Sequence, residues 1–519
     1  MKFRTLTCIT AMTLFAVLAV PVPLAAQEPQ EGKQHHRYKL IDMGTFGGPA
    51  SFVNPPFNSV PALNSRGTIV GSSATSIPIT STSDGFVCGS PLGFVPASFH
   101  AFEWQKGVVT DLGALPPSEE NCSNAGAVNA SGESAGTSEI DEVDPVLGVK
   151  EIRAVLWKQG EIINLGTLGG RVSVGSVGGI NNRGQVVGAA TNAILDPFSF
   201  LYSLAGNSNG TQTRAFLWQH GVMQDLGTLG GPDAWAFFVN ERSQIAGQSY
   251  TNSTPNPVTG IPTQDPFLWE DGRMIDLGTL GGTLGVPSAL NNRGQVIGTS
   301  NLAGDNIADP FLWDRGKLID LFTDTIGGNP ILAFAINDRG EIVGAAAFPN
   351  APFDAFLWRK GLATDLGHLD NCSSLAFGIN SHGQVVGGTF SCADGTHSRA
   401  FLWENGSMVD LNTLIPHNSD FRVVEAEAIN DRGEIAGNGV PPGVSPADVN
   451  TKGHAFLLIP CDENHDDSEC EDEGEGTAVA RGETNQRPNV VLPENFRKPL
   501  QRRLGSRYHI PGIVASPRD

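Results

Sequence analysis

A short motif recurs seven times along the chain, and it limits the possible folds more than any other feature. Each copy reads Ala-Phe-Leu-Trp or a close variant. A turn containing glycine follows, and then an apolar run that ends in Asp-Leu-Gly or a related triplet. Two apolar segments joined by a short glycine turn are typical of a β-hairpin. The copies lie at residues 101–104, 154–157, 215–218, 266–269, 310–313, 355–358 and 400–403.

A second hairpin pattern accompanies each copy and contains a recurring asparagine. A strand of small residues ends at the asparagine, a turn such as Asn-Asn-Arg-Gly follows, and the next strand resembles Gln-Val-Val-Gly. Asn and Gly suit tight turns because both tolerate positive φ, and the Asn side chain can bond the backbone two residues on. Four short strands in roughly 50 residues predict the blade of a β-propeller. The asparagines are Asn64, Asn129, Asn181, Asn240, Asn291, Asn337, Asn380 and Asn430.

The two ends of the repeat array complement each other. Residues 38–43 match the fourth strand of the pattern, whereas residues 454–459 match the third and end the array. We therefore predict an all-β fold, a β-propeller of about eight four-stranded blades closed by the N-terminal strand. Seven blades with one irregular unit, or an open solenoid, are the alternatives.

Composition and charge agree with this fold class and exclude one class of partner. Glycine (63) and proline (34) are abundant, and only 17% of the residues are charged, against roughly 25% in an average globular protein. So many turn-forming residues argue against a helical protein. The formal net charge of -21 argues against nucleic acid as a partner.

The segments outside the repeats predict an exported protein. Residues 1–26 have the basic start, apolar stretch and small-residue end of a signal peptide. Residues 27–37 are read as a linker, 38–460 as the propeller and 461–519 as a disordered tail, acidic at first and then basic. No later run has the ~18 apolar residues of a membrane helix. We expect a soluble monomer, secreted to the periplasm or the medium.

The motifs resemble those of a known family. The triplets His100-Ala101-Phe102 and His454-Ala455-Phe456, together with the recurring Asp-Leu-Gly-Thr-Leu-Gly-Gly and Ile-Asn segments, resemble the bacterial extracellular HAF-repeat family. The resemblance covers residues 38–460 and implies an exported repeat protein of unassigned function. Other units carry a different residue at the histidine position, so no role of that histidine is carried over. These residues are Arg153, Arg214 and Arg399, and Asp265, Asp309 and Asp354.

Residues present in nearly every unit are best explained as structural. The aspartate of Asp-Leu-Gly is expected to accept backbone N–H bonds from the loop that follows. A repeated cation site is the alternative, although Ca²⁺ prefers ~6–8 oxygen ligands. The Phe and Trp of the third strands are expected to fill the core, with exposed sugar-stacking platforms as the alternative. The aspartates are Asp42, Asp111, Asp225, Asp276, Asp320, Asp365 and Asp410, with Asn164 in the remaining unit.

Signatures of catalysis and of cofactor binding are absent from the sequence. Residues 132–136 and 206–210 match Gly-x-Ser-x-Gly by letters, but a nucleophile elbow needs a strand-to-helix turn, and neither context predicts one. No catalytic residue, metal site or cofactor is predicted. An enzyme would instead require non-repeated His, Tyr, Asp or Glu side chains that converge at the mouth of the channel.

The strand order places a possible binding site on one face. Long insertions join second strands to third strands, at 75–99, 191–213, 251–264 and 438–453; they are either binding loops or tolerated surface insertions. Trp235, His368, His397 and His417 are the candidate ligand-binding residues on this face. Trp235 could equally plug the channel, and the histidines could be solvated. We predict a scaffold that binds a protein or glycan partner; the alternative is a propeller enzyme of the glycoside hydrolase or polysaccharide lyase type.

Six cysteines remain after the signal peptide is removed. Strand order places Cys88 near Cys122 and Cys372 near Cys392, and Cys461 and Cys470 then form a small loop in the tail. An exported protein can form such disulfides. Free thiols are the alternative.

Overall fold

The computed structural model describes residues 35–461, apart from 54–61, 80–96, 117, 119, 205–209, 323–331, 349–350, 371–372, 391–397 and 417. The predicted signal peptide and residues 462–519 of the predicted tail lie outside the described residues. The described part is all-β, as predicted, with two short helices, α1 (Phe200–Leu204) and α2 (Val449–Lys452). Two 3₁₀ helices span Leu411–Thr413 and Pro446–Asp448. None of these helices has the length and apolar character needed to cross a membrane.

The strands of the described residues form eight four-stranded antiparallel units, as expected of propeller blades. The first four units are, in order, β2 (Gly47–Val53), β3 (Ile69–Pro78), β4 (Ala97–Gln105) and β5 (Val108–Gly113); β6 (Ser123–Val128), β7 (Ser134–Val143), β8 (Lys150–Lys158) and β9 (Glu161–Asn164); β10 (Ser173–Ile180), β11 (Val186–Asp196), β12 (Gly210–Gln219) and β13 (Val222–Asp225); and β14 (Ala234–Val239), β15 (Ile245–Pro255), β16 (Pro262–Glu270) and β17 (Arg273–Asp276).

The other four units follow the same order. They are β18 (Gly281–Leu290), β19 (Val296–Leu302), β20 (Ala308–Asp314) and β21 (Lys317–Asp320); β22 (Leu332–Ile336), β23 (Ile342–Phe348), β24 (Ala351–Arg359) and β25 (Leu362–Gly367); β26 (Ser373–Ile379), β27 (Val385–Phe390), β28 (Arg399–Glu404) and β29 (Ser407–Asp410); and β30 (Arg422–Ile429), β31 (Ile435–Val440), β32 (His454–Pro460) and β1 (Tyr38–Asp42). We number these units 1 to 8. A parallel contact between Gln264 and Leu284 also links units 4 and 5.

The N-terminal strand completes the last unit, as predicted. β1 pairs antiparallel with β32, from Tyr38 opposite Pro460 to Asp42 opposite Phe456. Side chains of units 8 and 1 also share one apolar cluster, in which Leu457 and Phe102 are both fully buried. The two ends of the repeat array are therefore joined by backbone pairing and by core packing.

A glycine in the second strand makes room for the phenylalanine of the third strand. In unit 3, Gly188 lies opposite Phe216. A Cβ atom on Gly188 would lie 2.0 Å from the carbonyl oxygen of Val174 and 2.9 Å from the Phe216 ring. Seven units contain such a pair, and all seven phenylalanines are fully buried. The pairs are Gly71–Phe102, Gly188–Phe216, Gly247–Phe267, Gly298–Phe311, Gly344–Phe356, Gly387–Phe401 and Gly437–Phe456.

Two-residue turns join third strands to fourth strands. In unit 1, Lys106 and Gly107 both have positive φ, 49° and 88°. Two consecutive positive φ angles match the twist of the flanking strands in a tight hairpin. Together with the asparagine turns, these turns define the turn face of the molecule. Connections between second and third strands, and between successive units, lie at the opposite end of the strands, which we call the hairpin face.

Each recurring asparagine connects its own turn to the next unit. The Asn181 Oδ1 atom accepts the N–H groups of Arg183 and Gln185, as expected for its turn. Its Nδ2 atom also donates to the carbonyl oxygen of Asn240 in the following unit, at 3.0 Å, a bond that the sequence did not predict. All eight asparagines form this bond at 2.8–3.1 Å, and the series ends with Asn430 donating to Asn64.

The predicted role of the recurring aspartate is confirmed. In unit 1, Asp111 Oδ1 accepts the N–H of Gly113 at 2.7 Å. The equivalent side chain accepts a backbone N–H two residues on in every other unit, including Asn164 in unit 2. Such a bond holds the loop that leaves each unit on the hairpin face.

Candidate functional site

The hairpin face carries the long insertions and an unusual set of exposed apolar side chains. These lie at or beside the connections between second and third strands in four consecutive units. Val143 is 46% exposed, Leu195 81% and Val258 65%. Isolated exposed apolar residues are ordinary, whereas grouped ones often indicate a binding surface. We call the full set the hairpin-tip residues: Val143 and Val146 in unit 2, Ile194 and Leu195 in unit 3, Val258 in unit 4 and Ile307 in unit 5.

A buried hydrogen bond connects the hairpins of units 2 and 3. Asp144 Oδ1 accepts the N–H groups of Val146 and Leu147, which shapes the unit 2 loop. Its Oδ2 atom accepts a hydrogen bond from the Tyr202 hydroxyl at 2.6 Å. Burial, followed by the Asp144 carboxylate, raises the pKa of Tyr202, so the hydroxyl keeps its proton and remains a donor.

A second buried carboxyl group holds the unit 3 insertion in place. Asp233 is fully buried, and it accepts the N–H of Phe200, the first residue of α1, at 2.6 Å and the N–H of Thr213 at 2.9 Å. Burial, followed by a hydrogen bond with Asp196, raises the pKa of Asp233 well above its usual value. Asp233 therefore holds a proton more tightly than an exposed aspartate does.

These non-repeated Asp and Tyr side chains do not form an accessible reaction centre. Asp144, Asp196, Tyr202, Asp233 and Tyr250 are each at most 5% exposed. The Tyr250 ring lies under α1, with its centroid 4.4 Å from that of Phe200. Their bonds go to the backbone and to one another, so the set anchors the hairpins. Sequence reasoning missed it, although two of the chain's four tyrosines lie in this region.

Trp235 lies in β14, at the innermost strand of unit 4, and is partly buried. Its Nε1 atom donates to Ser176 Oγ of unit 3 at 2.9 Å. Its ring lies 5.4 Å from that of Phe237 and packs against two apolar clusters, one formed by units 2 and 3 and one by units 4 and 5. The residue therefore contributes to contact between two units.

The three candidate histidines are not brought together within the described residues. His368 follows β25, and its Nδ1 atom lies 2.9 Å from Asp354 Oδ2. His397 and His417 lie outside the described residues. Nearby, an open groove of about 480 Å³ on the hairpin face is lined by residues that include Arg399, Phe421 and Arg422.

The residue that precedes each Ala-Phe or Pro-Phe pair faces the carboxylate of the fourth strand. We call it the charge position. His100 contacts Asp111 at 2.9 Å, Arg214 contacts Asp225 at 3.0 Å, and the equivalent contacts of units 7 and 8 are Arg399–Asp410 at 3.3 Å and His454–Asp42 at 2.9 Å. In unit 2 the fourth-strand residue is Asn164, and Arg153 contacts Glu151 instead. The sequence showed these substitutions, but not the partner that explains them.

Three consecutive units have aspartate at the charge position, opposite the fourth-strand aspartate. Asp354 of unit 6 contacts His368, as described above. In unit 4, burial and then Asp276 raise the pKa of Asp265 to about 7. In unit 5, burial and then Asp320 raise the pKa of Asp309 to about 6. Units 4 and 5 therefore contain carboxyl pairs where four other units pair the fourth-strand carboxylate with an Arg or His side chain.

A cavity of about 310 Å³ lies at the turn-face end of the inner strands. Its lining includes Val128, Ile180, Val239 and Leu290, together with turn residues such as Asn292. Apolar side chains and neutral amides line most of it. In the described residues, no group of three or more His, Cys, Asp or Glu side chains is placed to hold a metal ion.

The first Gly-x-Ser-x-Gly match has no elbow geometry. Ser134 is the first residue of β7 and is fully buried, so its hydroxyl cannot reach a substrate. The second match, 206–210, lies almost entirely outside the described residues.

Comparison with known proteins yields only distant structural similarity. No family model and no curated protein matches the chain. Solved structures that resemble it include the β-propeller domain of the Trilobed protease from Pyrococcus furiosus, described as having an open velcro topology, at 10% identity and a TM-score of 0.39, covering 70% of this chain and 97% of that one. Acylaminoacyl peptidase from Pyrococcus horikoshii has 11% identity and a TM-score of 0.37, covering 75% of this chain and 58% of that one.

Dipeptidyl peptidase 4 from Porphyromonas gingivalis is similar at 11% identity and a TM-score of 0.37, covering 67% of this chain and 55% of that one. The chain spans a little over half the length of these two peptidases. Similarity at this level carries no argument about activity.

Proposed function

We propose that the protein is an exported scaffold, a closed eight-bladed propeller, that binds a protein partner through its hairpin face. The observation that carries this proposal is the placement of the hairpin-tip residues. They occupy one face in four consecutive units, and the buried bonds of Asp144 and Asp233 fix the hairpins of units 2 and 3. A binding surface on such pre-ordered hairpins loses little conformational entropy when a partner docks.

The chemistry of these side chains favours a protein over a glycan. The exposed large apolar residues of the described part are valine, isoleucine and leucine. Sugar rings are usually held by stacking on aromatic side chains, and Trp235 is partly buried in a contact between units. Export rests on residues 1–26, and membership of the HAF-repeat family stays a prediction.

A matched pair of variants tests this role. The first carries Val143→Thr, Leu195→Gln, Val258→Thr and Ile307→Thr on the hairpin face. The control carries Val108→Thr, Val222→Thr and Leu362→Gln on the turn face, where the original residues are 63%, 64% and 69% exposed. Partners cross-linked to the wild-type protein outside the cytoplasm would be identified, purified and titrated against all three proteins.

We expect at least a tenfold weaker affinity for the hairpin-face variant and an unchanged affinity for the control. Equal affinities for all three proteins would refute the proposal. The alternative, a propeller enzyme, would need catalytic side chains that reach solvent, and Asp144, Asp196, Tyr202, Asp233 and Tyr250 are each at most 5% exposed.

A further inference from the structure

The charge position of units 4 and 5 lacks the positive charge that other units provide. In units 1, 3, 7 and 8 an Arg or His side chain contacts the fourth-strand carboxylate, and in unit 6 His368 contacts Asp354. Among the described residues, the charged group that acts on Asp265 is the Asp276 carboxylate, and the one that acts on Asp309 is the Asp320 carboxylate. The repeat thus supplies an internal comparison, in which this position is occupied by Arg or His in five units and by Asp in three.

The buried carboxyl oxygens of these two residues are unsatisfied. Asp265 is 9% exposed and Asp309 is 1% exposed. The Oδ1 atom of each is buried and has no hydrogen-bond partner among the described residues. An unpartnered buried acceptor costs free energy, and a positively charged donor would satisfy it. The fourth-strand member of each pair is the more accessible one, with Asp276 exposed and Asp320 partly exposed, so a ligand from solvent meets that carboxylate first.

We propose that the carboxyl pairs Asp265–Asp276 and Asp309–Asp320 together bind two cationic side chains of a basic peptide segment. A guanidinium group presents several donors in one plane and can bridge two carboxylates; within this chain, the Arg214 guanidinium already donates to the fourth-strand carboxylate of Asp225. A metal ion is a poorer fit, because each pair offers two carboxyl groups and the part of the chain that the structure describes places no third acidic or imidazole ligand beside them. The proposal rests on the binding role of the hairpin face, where these strand ends lie, and specifies the chemistry of the ligand.

Binding has a measurable proton signature. Asp276 is the titratable group that acts on Asp265, and Asp320 the one that acts on Asp309. The pKa is about 7 for Asp265 and about 6 for Asp309, so protonation of both groups increases as the pH falls towards 5.5, and a bound cation favours the ionised forms. Peptide binding therefore releases protons and strengthens as the pH rises from 5.5 to 8.

The probe is a synthetic peptide with the sequence of residues 497–507, which contains five basic residues. It would be titrated into the full chain by calorimetry, in two buffers of different ionisation enthalpy, with a peptide that has glutamine at those five positions as control. We expect binding to fall at least tenfold in Asp265→Asn/Asp309→Asn. We expect it to fall equally in Asp265→Arg/Asp309→Arg, which reproduces the arrangement of unit 3.

The matched control is Asp111→Asn/Asp225→Asn. It changes the net charge as much as the first variant, and Asn164 shows that asparagine keeps the loop bond at this position. Retained affinity in the control together with proton release in the wild type supports the proposal. If the control loses as much affinity for the peptide as the first variant does, the effect comes from net charge alone and the proposal fails. Absence of peptide binding, or of proton release on binding, would also overturn it.

A further comparison shows whether the basic segment belongs to the protein's own tail or to another protein. Glutamine at Arg497, Lys498, Arg502, Arg503 and Arg507 of the full chain should tighten binding of the added peptide if the protein's own tail occupies the pairs. An unchanged affinity points to a segment of another protein, and both results support the same chemistry.

If the hairpin-face variant loses its partner while the Asp265→Asn/Asp309→Asn variant binds the peptide normally, this inference fails and the proposed function stands. The reverse pattern refutes the proposed function alone.

Discussion

Asn430 donates a hydrogen bond from its side chain to the carbonyl oxygen of Asn64, 3.0 Å away, although 366 residues separate the two in the chain. This bond completes the series in which each recurring asparagine contacts the next unit. Asn430 is 8% exposed, so its amide has little access to water as an alternative partner.

Replacing this asparagine should destabilise the whole fold. Asn430→Ala removes the bond to Asn64 and the bonds that its Oδ1 atom accepts from Arg432 and Glu434. We expect the free energy of unfolding to fall by about 2–4 kcal/mol, measured by chemical denaturation. Ser381→Ala, in the equivalent turn of unit 7, is the control and should change it by less than about 0.5 kcal/mol. Equal values for the two variants would mean that the contact between units contributes nothing.

Removing β1 tests the join between the chain ends. A chain that begins at Gly44 lacks the partner of β32, and its exposed strand edge should promote association. We expect oligomers or aggregates by light scattering, whereas a chain that begins at Gln27 stays monomeric. A monomer with an unchanged melting temperature would show that β1 is dispensable.

The glycine–phenylalanine pairs predict that replacing a glycine of such a pair destabilises the fold much more than replacing a glycine in an open turn. Gly298→Ala would place a Cβ atom 2.1 Å from the carbonyl oxygen of Val286 and 2.8 Å from the Phe311 ring, so strands must separate. We expect a loss of about 3 kcal/mol or more of unfolding free energy. Gly107→Asn is the control, because that site is open and Asn tolerates its positive φ. A loss of less than about 1 kcal/mol for Gly298→Ala would contradict the close approach.

Asp265 should make stability depend on pH in a direction opposite to that of ordinary ion-paired carboxylates. Its pKa is about 7 in the fold, against 3.8 usually, so the folded state binds the proton more tightly than the unfolded state does. The wild-type protein therefore loses stability as the pH rises from about 4 to about 7. Asp265→Asn removes this loss, and its melting temperature should exceed that of the wild type by roughly 2 °C at pH 8 and match it near pH 4. The exposed Asp271→Asn should show no such trend; an equal gain at both pH values for Asp265→Asn would refute the shift.

The cysteine pairing remains testable by peptide mapping under non-reducing conditions. We expect Cys88–Cys122, Cys372–Cys392 and Cys461–Cys470. Cys122 and Cys461 lie in the described residues, and their expected partners do not. Each bond should contribute ~2–4 kcal/mol if it is unstrained. A Cys88–Cys372 bond would contradict the strand order, and free thiols would leave the fold without these cross-links.

The sequence predicted the repeated parts of the fold well, because each of those residues acts within its own unit. The Asp111 loop bond and the asparagine turns depend on neighbours two to four residues away, so a local pattern reveals them. The bond from Asn181 to Asn240 depends on how units pack, and an asparagine already explained by its turn gives no sign of it.

The candidate site was less predictable, for a related reason. Asp233 and Tyr202 bond to groups in other segments, and nothing in their immediate sequence marks them. The sequence shows that most units replace the histidine of His-Ala-Phe at the charge position. Explaining these replacements requires knowing which fourth-strand residue faces that position. In seven units the fourth-strand residue follows at a spacing of eleven residues, as in His100 and Asp111 or Arg214 and Asp225, so a search for paired positions at that spacing would have found it there.

The asparagine bonds join units whose lengths differ widely. The sequence separation between linked asparagines is 65 residues from Asn64 to Asn129 and 43 from Asn337 to Asn380, yet the donor–acceptor distances are 2.8 and 3.0 Å. Alignment between neighbours is thus set at the turn face, and added length accumulates at the other end of the strands. A hairpin on the hairpin face can therefore be lengthened or replaced without disturbing the asparagine bonds that align adjacent blades. The same separation makes the connection between β19 and β20, from Leu302 to Ala308, a natural acceptor for grafted recognition loops.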